Sequence, residues 1–252
     1  MKTRFRRSAR TDTWACIAPA AGLKCSLRTW ARFRPQICSY SARVAGTFAR
    51  DPSFIHRTVV SGDSSNNVFG NLTEIDGSQF TAGLGPLTSF TPLVFQRWDP
   101  PGSGGTYNNH AIGIQHASGA WRVFNQDLAA MPHGAGFHVL APSPFADYAF
   151  KVRSPSPAAE VVIDHPRSND NPCTHLLVNA AYGDPLDPSF GAAYIPAELI
   201  VAYKDLGDGA GEWVVRRGDG LPFPASTALH VYVDPKSSRH CLEERPFNDG
   251  FE

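Results

Sequence analysis

One stretch of this chain occurs twice. The twenty residues Trp121–Leu140 align without a gap on Trp213–Tyr232. Trp121/Trp213, Val123/Val215, Asp127/Asp219, Pro132/Pro224, His138/His230 and Val139/Val231 coincide, and Phe137/Leu229 and Met131/Phe223 pair as apolar equivalents. The offset is 92 residues. Upstream, Ile75-Asp76 pairs with Ile163-Asp164 at 88, and Asp99-Pro100 with Asp184-Pro185 at 85. Offsets that drift by a few residues are what changes in loop length produce. A chain built this way is expected to fold as two copies of one unit of about 90 residues.

Each copy reads as short strands. The first gives Leu93–Trp98, Ala111–His116, Trp121–Phe124 and Gly136–Leu140; the second gives Val161–Ile163, His175–Val178, Leu199–Tyr203, Glu212–Arg216 and Leu229–Val233. All are rich in β-branched and aromatic residues and bounded by Gly, Pro, Asn or Asp. Ala117-Ser118-Gly119-Ala120 and Gly207-Asp208-Gly209-Ala210-Gly211 precede the two tryptophans and supply glycine to hairpin turns. With 22 Gly and 21 Pro and no sustained helical period, the chain is expected to be all-β. It divides into a β-sandwich-like unit over 51–147, a degenerate second copy over 148–236, and a tail over 237–252. Trp121, Trp213, Phe137 and Leu229 are the expected core.

The formal net charge of zero hides an asymmetry. Residues 1–50 carry 11 Lys and Arg against one acid, Asp12, so residues 51–252 hold 12 basic and 22 acidic groups. An acidic body argues against a nucleic-acid partner. The basic segment is a leader or a disordered segment with three open readings: a secretory signal ending near Ala18-Pro19-Ala20, an organelle transit peptide, or residues upstream of the true start. Its longest uncharged stretch, Thr13–Leu23, is too short to cross a membrane as a helix. Cys16, Cys25 and Cys38 fit no metal spacing; Cys173 and Cys241 are either a disulfide or two buried thiols.

The first copy also carries Tyr107-Asn108-Asn109-His110-Ala111-Ile112-Gly113, then Trp121–Asp127 with its Asn125-Gln126-Asp127, then Met131–Phe137. The second opens on Ile163-Asp164-His165-Pro166 and runs to Asn169, Asn171 and Pro172. These motifs resemble a family of tandemly repeated bacterial extracellular β domains with the pattern IDHPxxNxNP, YNNHxIG, WxVFNQD and MPxGAxF. The first copy lacks His-Pro after Ile75-Asp76, and the second replaces Asn-Gln with Arg217-Gly218. No activity is established for that family, so the resemblance implies a secreted or cell-surface repeat protein and no more.

Trp98, Tyr107, Asn108, Asn109, His110, Asn125, Gln126 and Asp127 form the densest polar constellation. Amides that donate and accept beside aromatic faces suit a carbohydrate. The competing reading is turn chemistry, in which Asn and Asp close onto their own backbone; the persistence of aspartate at 127 and 219 favours it for Asp127. Eight aspartates (Asp76, Asp99, Asp127, Asp164, Asp184, Asp187, Asp205, Asp208) offer oxygen ligands to calcium, but no D-x-D-x-D-G loop is present. His110, His116, His133 and His138 form no H-x-H pair, and no glutamate lies between Glu74 and Glu160. No cofactor or transition-metal site is expected. Nucleophile elbows and phosphate loops are absent from residues 51–252.

The expectation is a non-enzymatic secreted or cell-surface protein that binds carbohydrate, a protein surface or itself. The alternatives are a secreted carbohydrate-active hydrolase using Asp99 and Asp127, and a calcium-stabilised structural module.

Overall fold

Strict alternation along two strands sets the layering. In β6 (Ala120–Asn125) Trp121 and Val123 point to one side, while in β10 (Leu176–Tyr182) Ala181 faces one core and Ala180 another. A computed structural model of the chain describes residues 53–59, 66–80, 85–97, 105–187, 192–235 and 237. The basic segment 1–50 lies outside them. Besides β6 and β10, the described strands are β1 (Ser53–Arg57), β2 (Val68–Phe69), β3 (Leu72–Glu74), β4 (Leu93–Arg97), β5 (Ile112–Ala117), β7 (Gly136–Leu140), β8 (Ala149–Ser154), β9 (Val161–Ile163), β11 (Leu199–Gly207), β12 (Ala210–Arg217) and β13 (Thr227–Val233). Two single 3-10 turns, Gly77–Gln79 and Leu87–Ser89, complete the regular structure, so the protein is all-β among the described residues.

A seven-stranded sheet, β2-β3-β6-β5-β10-β13-β8, lies in the middle. The three-stranded sheet β1-β7-β4 covers one face, closing a core around Trp121, Ile114, Phe137 and Val139. The sheet β11-β12-β9 covers the other face further along, closing a second core around Trp213, Ile163, Phe223, Leu229 and Val231. Trp121, Trp213, Phe137 and Leu229 are all buried.

The pairings on either side of Asp147 follow one scheme. Before it, β1 and β4 flank β7, and β3 and β5 flank β6; after it, β8 and β10 flank β13, and β9 and β11 flank β12, all antiparallel. Both hairpins ahead of the tryptophans turn on two left-handed residues, Ser118 (φ 52°) with Gly119 (φ 83°) and Asp208 (φ 54°) with Gly209 (φ 82°). This is the type I′ signature that matches strand twist. The Trp121 indole donates to the Leu87 carbonyl at 2.8 Å and the Trp213 indole to the Asn171 carbonyl at 2.9 Å. Each indole also meets a ring on the neighbouring strand edge-on: His116 for Trp121, Tyr203 for Trp213.

What sequence spacing does not reveal is the contact between the halves. β5 and β10 run parallel, Gly113 opposite Ala180 and Gln115 opposite Tyr182, and so join the two halves in one sheet. Nor do β1, β2, β3 and β8 stand out in the sequence. The first three are short or polar, and β8 interleaves Lys151 and Arg153 with Phe150 and Val152. Cys173 is exposed and disulfide-bonded, which removes the reading of a buried free thiol; Cys241 lies outside the described residues.

Candidate functional site

The hairpin register brings the two polar motifs together. Counting back from the Ser118-Gly119 turn, Ile112 falls opposite Asn125. One step further the Gln126 amide donates to the Ala111 carbonyl at 2.8 Å, and the next step sets His110 beside Asp127. Residues distant in sequence therefore share one end of the β5–β6 ladder.

Half of the constellation points inward. Asn108 is buried and donates to Asn125 Oδ1 at 2.8 Å; Asn125, wholly buried, spans the following turn by donating to the Ala129 carbonyl at 3.0 Å. The Asn125 amide donates to the Asn71 carbonyl at 2.9 Å, tying in the β2–β3 turn. Gln126 is buried too, its Oε1 accepting from the Ile195 amide at 2.9 Å. Asn108 Oδ1 and Gln126 Nε2 are buried with no hydrogen-bond partner among the described residues. Gly113 is required here: a Cβ would sit 2.6 Å from Phe124 Cζ and press on the Gln126 amide. Phe124 in turn packs edge-on against Tyr182 and Tyr194 of the second half. Each of these three amides, read from sequence as ligand contacts, is buried and finds a backbone or amide partner within the fold.

The other half points outward. Asp127 Oδ1 accepts from the Ala129 amide at 3.1 Å, closing an Asx-turn, and Oδ2 lies 2.7 Å from His110 Nδ1. Partial burial opposes the charge on Asp127, but the Ala129 and His110 hydrogen bonds outweigh it and hold the carboxyl below its ordinary value. A carboxylate only accepts, so Nδ1 donates and Nε2 of the neutral ring is left as an acceptor. Gln96 Nε2 donates to the His110 carbonyl at 2.7 Å and fixes the segment on β4. Tyr107 and Asn109, which precede His110 in the chain, are exposed. Trp98 and Asp99 lie outside the described residues.

The corresponding corner of the second half is differently filled. Asp219 Oδ1 accepts from the Leu221 amide at 3.1 Å, the same cap as Asp127. Its neighbour is Arg217, which binds it through Nε at 3.0 Å where Asp127 binds His110. The Asp164–Pro172 element is a local clasp. His165 Nδ1 accepts from the Arg167 amide at 3.2 Å, which fixes the tautomer that donates from Nε2 to the Asp147 carbonyl at 2.8 Å. Asn169 bridges the His165 amide and Asp164, and Asp170 accepts from the Gly211 amide at 2.8 Å.

Among the described residues no three His, Cys, Asp or Glu side chains converge as a metal site. Of the eight aspartates nominated as calcium ligands, Asp76 caps the first 3-10 turn, Asp184 binds Lys151 and Arg153, and Asp205 accepts from the Gly207 amide, while Asp99 lies outside the described residues. Of the histidines, His133 contacts the Val59 carbonyl and His138 the Arg97 guanidinium. Sequence reasoning missed Gln96, Asn71 and Ile195; only Gly113, a glycine inside an apolar strand, carried a signal of close packing there.

Residues 48–141 match the family model described as a domain of unknown function, DUF7452, a stretch that contains both polar motifs. No curated protein and no solved structure matches the chain.

Proposed function

We propose that this protein is a non-enzymatic binding module made of two duplicated β units, secreted or displayed at a cell surface, with Tyr107, Asn109 and His110 as its ligand-facing groups. The observation that carries the site is the division of labour in the motif. Asn108, Asn125 and Gln126 are buried and each makes a hydrogen bond within the fold, while Asp127 orients the part-exposed His110 ring through Nδ1. An aromatic face, an amide and an oriented imidazole acceptor suit a polyhydroxylated ligand, a carbohydrate before all. The duplication is supported by the matched pairings, turns and indole bonds of the two halves. The disulfide at Cys173 supports an oxidising compartment.

The test is thermal unfolding of the chain against a panel of soluble sugars. A sugar at a hundred times its Kd should stabilise by about 2.7 kcal/mol, and Asn109→Ala should remove that shift while leaving the unliganded melting point unchanged. No shift with any sugar would move the reading to a structural or self-associating role.

One observation favours a second reading: a carboxylate bonded to imidazole Nδ1, as Asp127 is to His110, is also how a general base is oriented. The hydrolase that uses Asp99 and Asp127 draws on it. Asp127→Asn separates the two, abolishing turnover of a cleavable glycoside in a hydrolase but costing a turn cap only about 1 kcal/mol of stability.

A further inference from the structure

The sheet β1-β7-β4 is held to the central sheet by a short row of polar side chains. Asn179 on β10 stands opposite His230 on β13, which stands opposite Lys151 on β8. Asn179 is buried and takes both polar groups of Val94 on β4: Oδ1 accepts from the Val94 amide, and Nδ2 donates to the Val94 carbonyl at 2.8 Å. His230, wholly enclosed, bonds through Nδ1 to the Pro92 carbonyl at 2.8 Å and lies edge-on to Trp121, 5.6 Å between ring centres. Two adjacent side chains of the second half thus occupy the outward edge of β4 in the first. Since a carbonyl only accepts, Nδ1 carries a proton in the neutral ring.

We propose that Asn179 and His230 form a pin that locks β4 onto the central sheet, and that acid releases it by protonating His230. The surroundings of the ring oppose a second proton. Lys151 faces it from β8; Asp184, the nearest acid, is already engaged by Lys151 and Arg153. The ring packed beyond Trp121 is His116, whose own Nε2 is buried without a hydrogen-bond partner among the described residues. Pro92 offers one carbonyl, and Asn179 and Trp121 carry no charge. Burial, with Lys151 adding to it, lowers the pKa of His230 to about 4, the Pro92 bond and Asp184 offsetting only part. A state in which the pin opens and the ring meets water recovers the ordinary value of 6.5. The sign follows: the pin is at full strength above about pH 6.5 and weakens as pH falls towards 4, up to tenfold per pH unit for one proton taken up on opening.

Hydrogen exchange along β4 in the full chain, corrected for the intrinsic pH dependence of exchange, reads this directly. The Val94 amide should lose protection between about pH 6 and 4 while amides of β12 keep theirs, and Trp121 emission should change over the same range. His230→Gln keeps a neutral donor and should make the loss of Val94 protection shallower across that range, leaving only what His116 and His138, whose pKa values burial also lowers, contribute. Lys151→Met removes the facing cation, brings the closed-state value of His230 nearer to 6.5 and should make the loss smaller and level off at a higher pH, which keeps the idea testable if His230→Gln does not fold. Constant Val94 protection down to global unfolding would overturn the proposal, as would an unshifted profile in either variant.

Discussion

At the scale of single residues, charge placement rather than charge count decides what matters. Asp184 is the most enclosed carboxylate among the described ion pairs, its side chain 2 % exposed. Burial penalises its charge, but hydrogen bonds from Lys151, the Leu186 amide and Arg153 more than offset this and lower its pKa to about 2. A folded-state pKa below the ordinary carboxylate value means stability that is present above about pH 4 and lost as pH falls from there towards 2. Asp184→Asn should therefore cost about 2 kcal/mol at neutral pH and flatten the acid limb of the stability profile in that window alone. Urea unfolding between pH 2 and 7 checks it; an unchanged acid limb would remove Asp184 as its source. The window lies below that of His230, so the two groups are separable in one titration. Asp127 and Asp219 show the complementary case, two exposed aspartates whose value lies in capping a turn.

At the scale of elements, each half sets a tryptophan strand in a sheet that closes a core. Trp121 and Trp213 lie in matched places, each buried, each donating its indole N–H to the carbonyl of a connecting segment, each beside a ring on the preceding strand. Truncating either to alanine should destabilise by roughly 3 to 5 kcal/mol, by amounts that agree within about 1 kcal/mol. Denaturant unfolding of both variants provides the comparison, and a large difference between them would count against the duplication while leaving the acid-release proposal to its own test. Much of this level was legible in the sequence. The nine strands expected from periodicity are present, and both hairpins turn where Ser118-Gly119 and Asp208-Gly209 stand. Edge strands were less legible: β1 is short and largely polar, and β8, although Phe150 and Val152 alternate with Lys151 and Arg153, lacks the β-branched and aromatic density of the buried strands.

At the scale of the whole molecule, the shared sheet should tie the halves together energetically. β5 and β10 pair across them, Gln126 accepts from Ile195, and Asn179 holds Val94. The described body should unfold in one transition, with calorimetric and van't Hoff enthalpies equal. Asn179→Ala strands two buried polar groups of Val94 and should lower the melting temperature and broaden or split that transition. Two transitions in the unaltered chain would mean that each half folds alone.

The sequence by itself determined what is local. Strand placement, turn type and the pairing of His110 with Asp127 follow from alternation and from a hairpin whose turn fixes its register. The twin aspartate caps were likewise readable, because an Asx-turn involves residues only two apart. Only the tertiary structure decided what the amides do. Asn108, Asn125, Gln126 and Asn179 have the same chemistry whether they meet a ligand or a backbone. Which they meet depends on partners such as Ile195 and Val94, brought near by a parallel contact that leaves no periodic mark in the chain. The division between an exposed Asn109 and a buried Asn108 is likewise a matter of which side of the chain faces water. Two adjacent identical residues differ there in burial, and in nothing the sequence records.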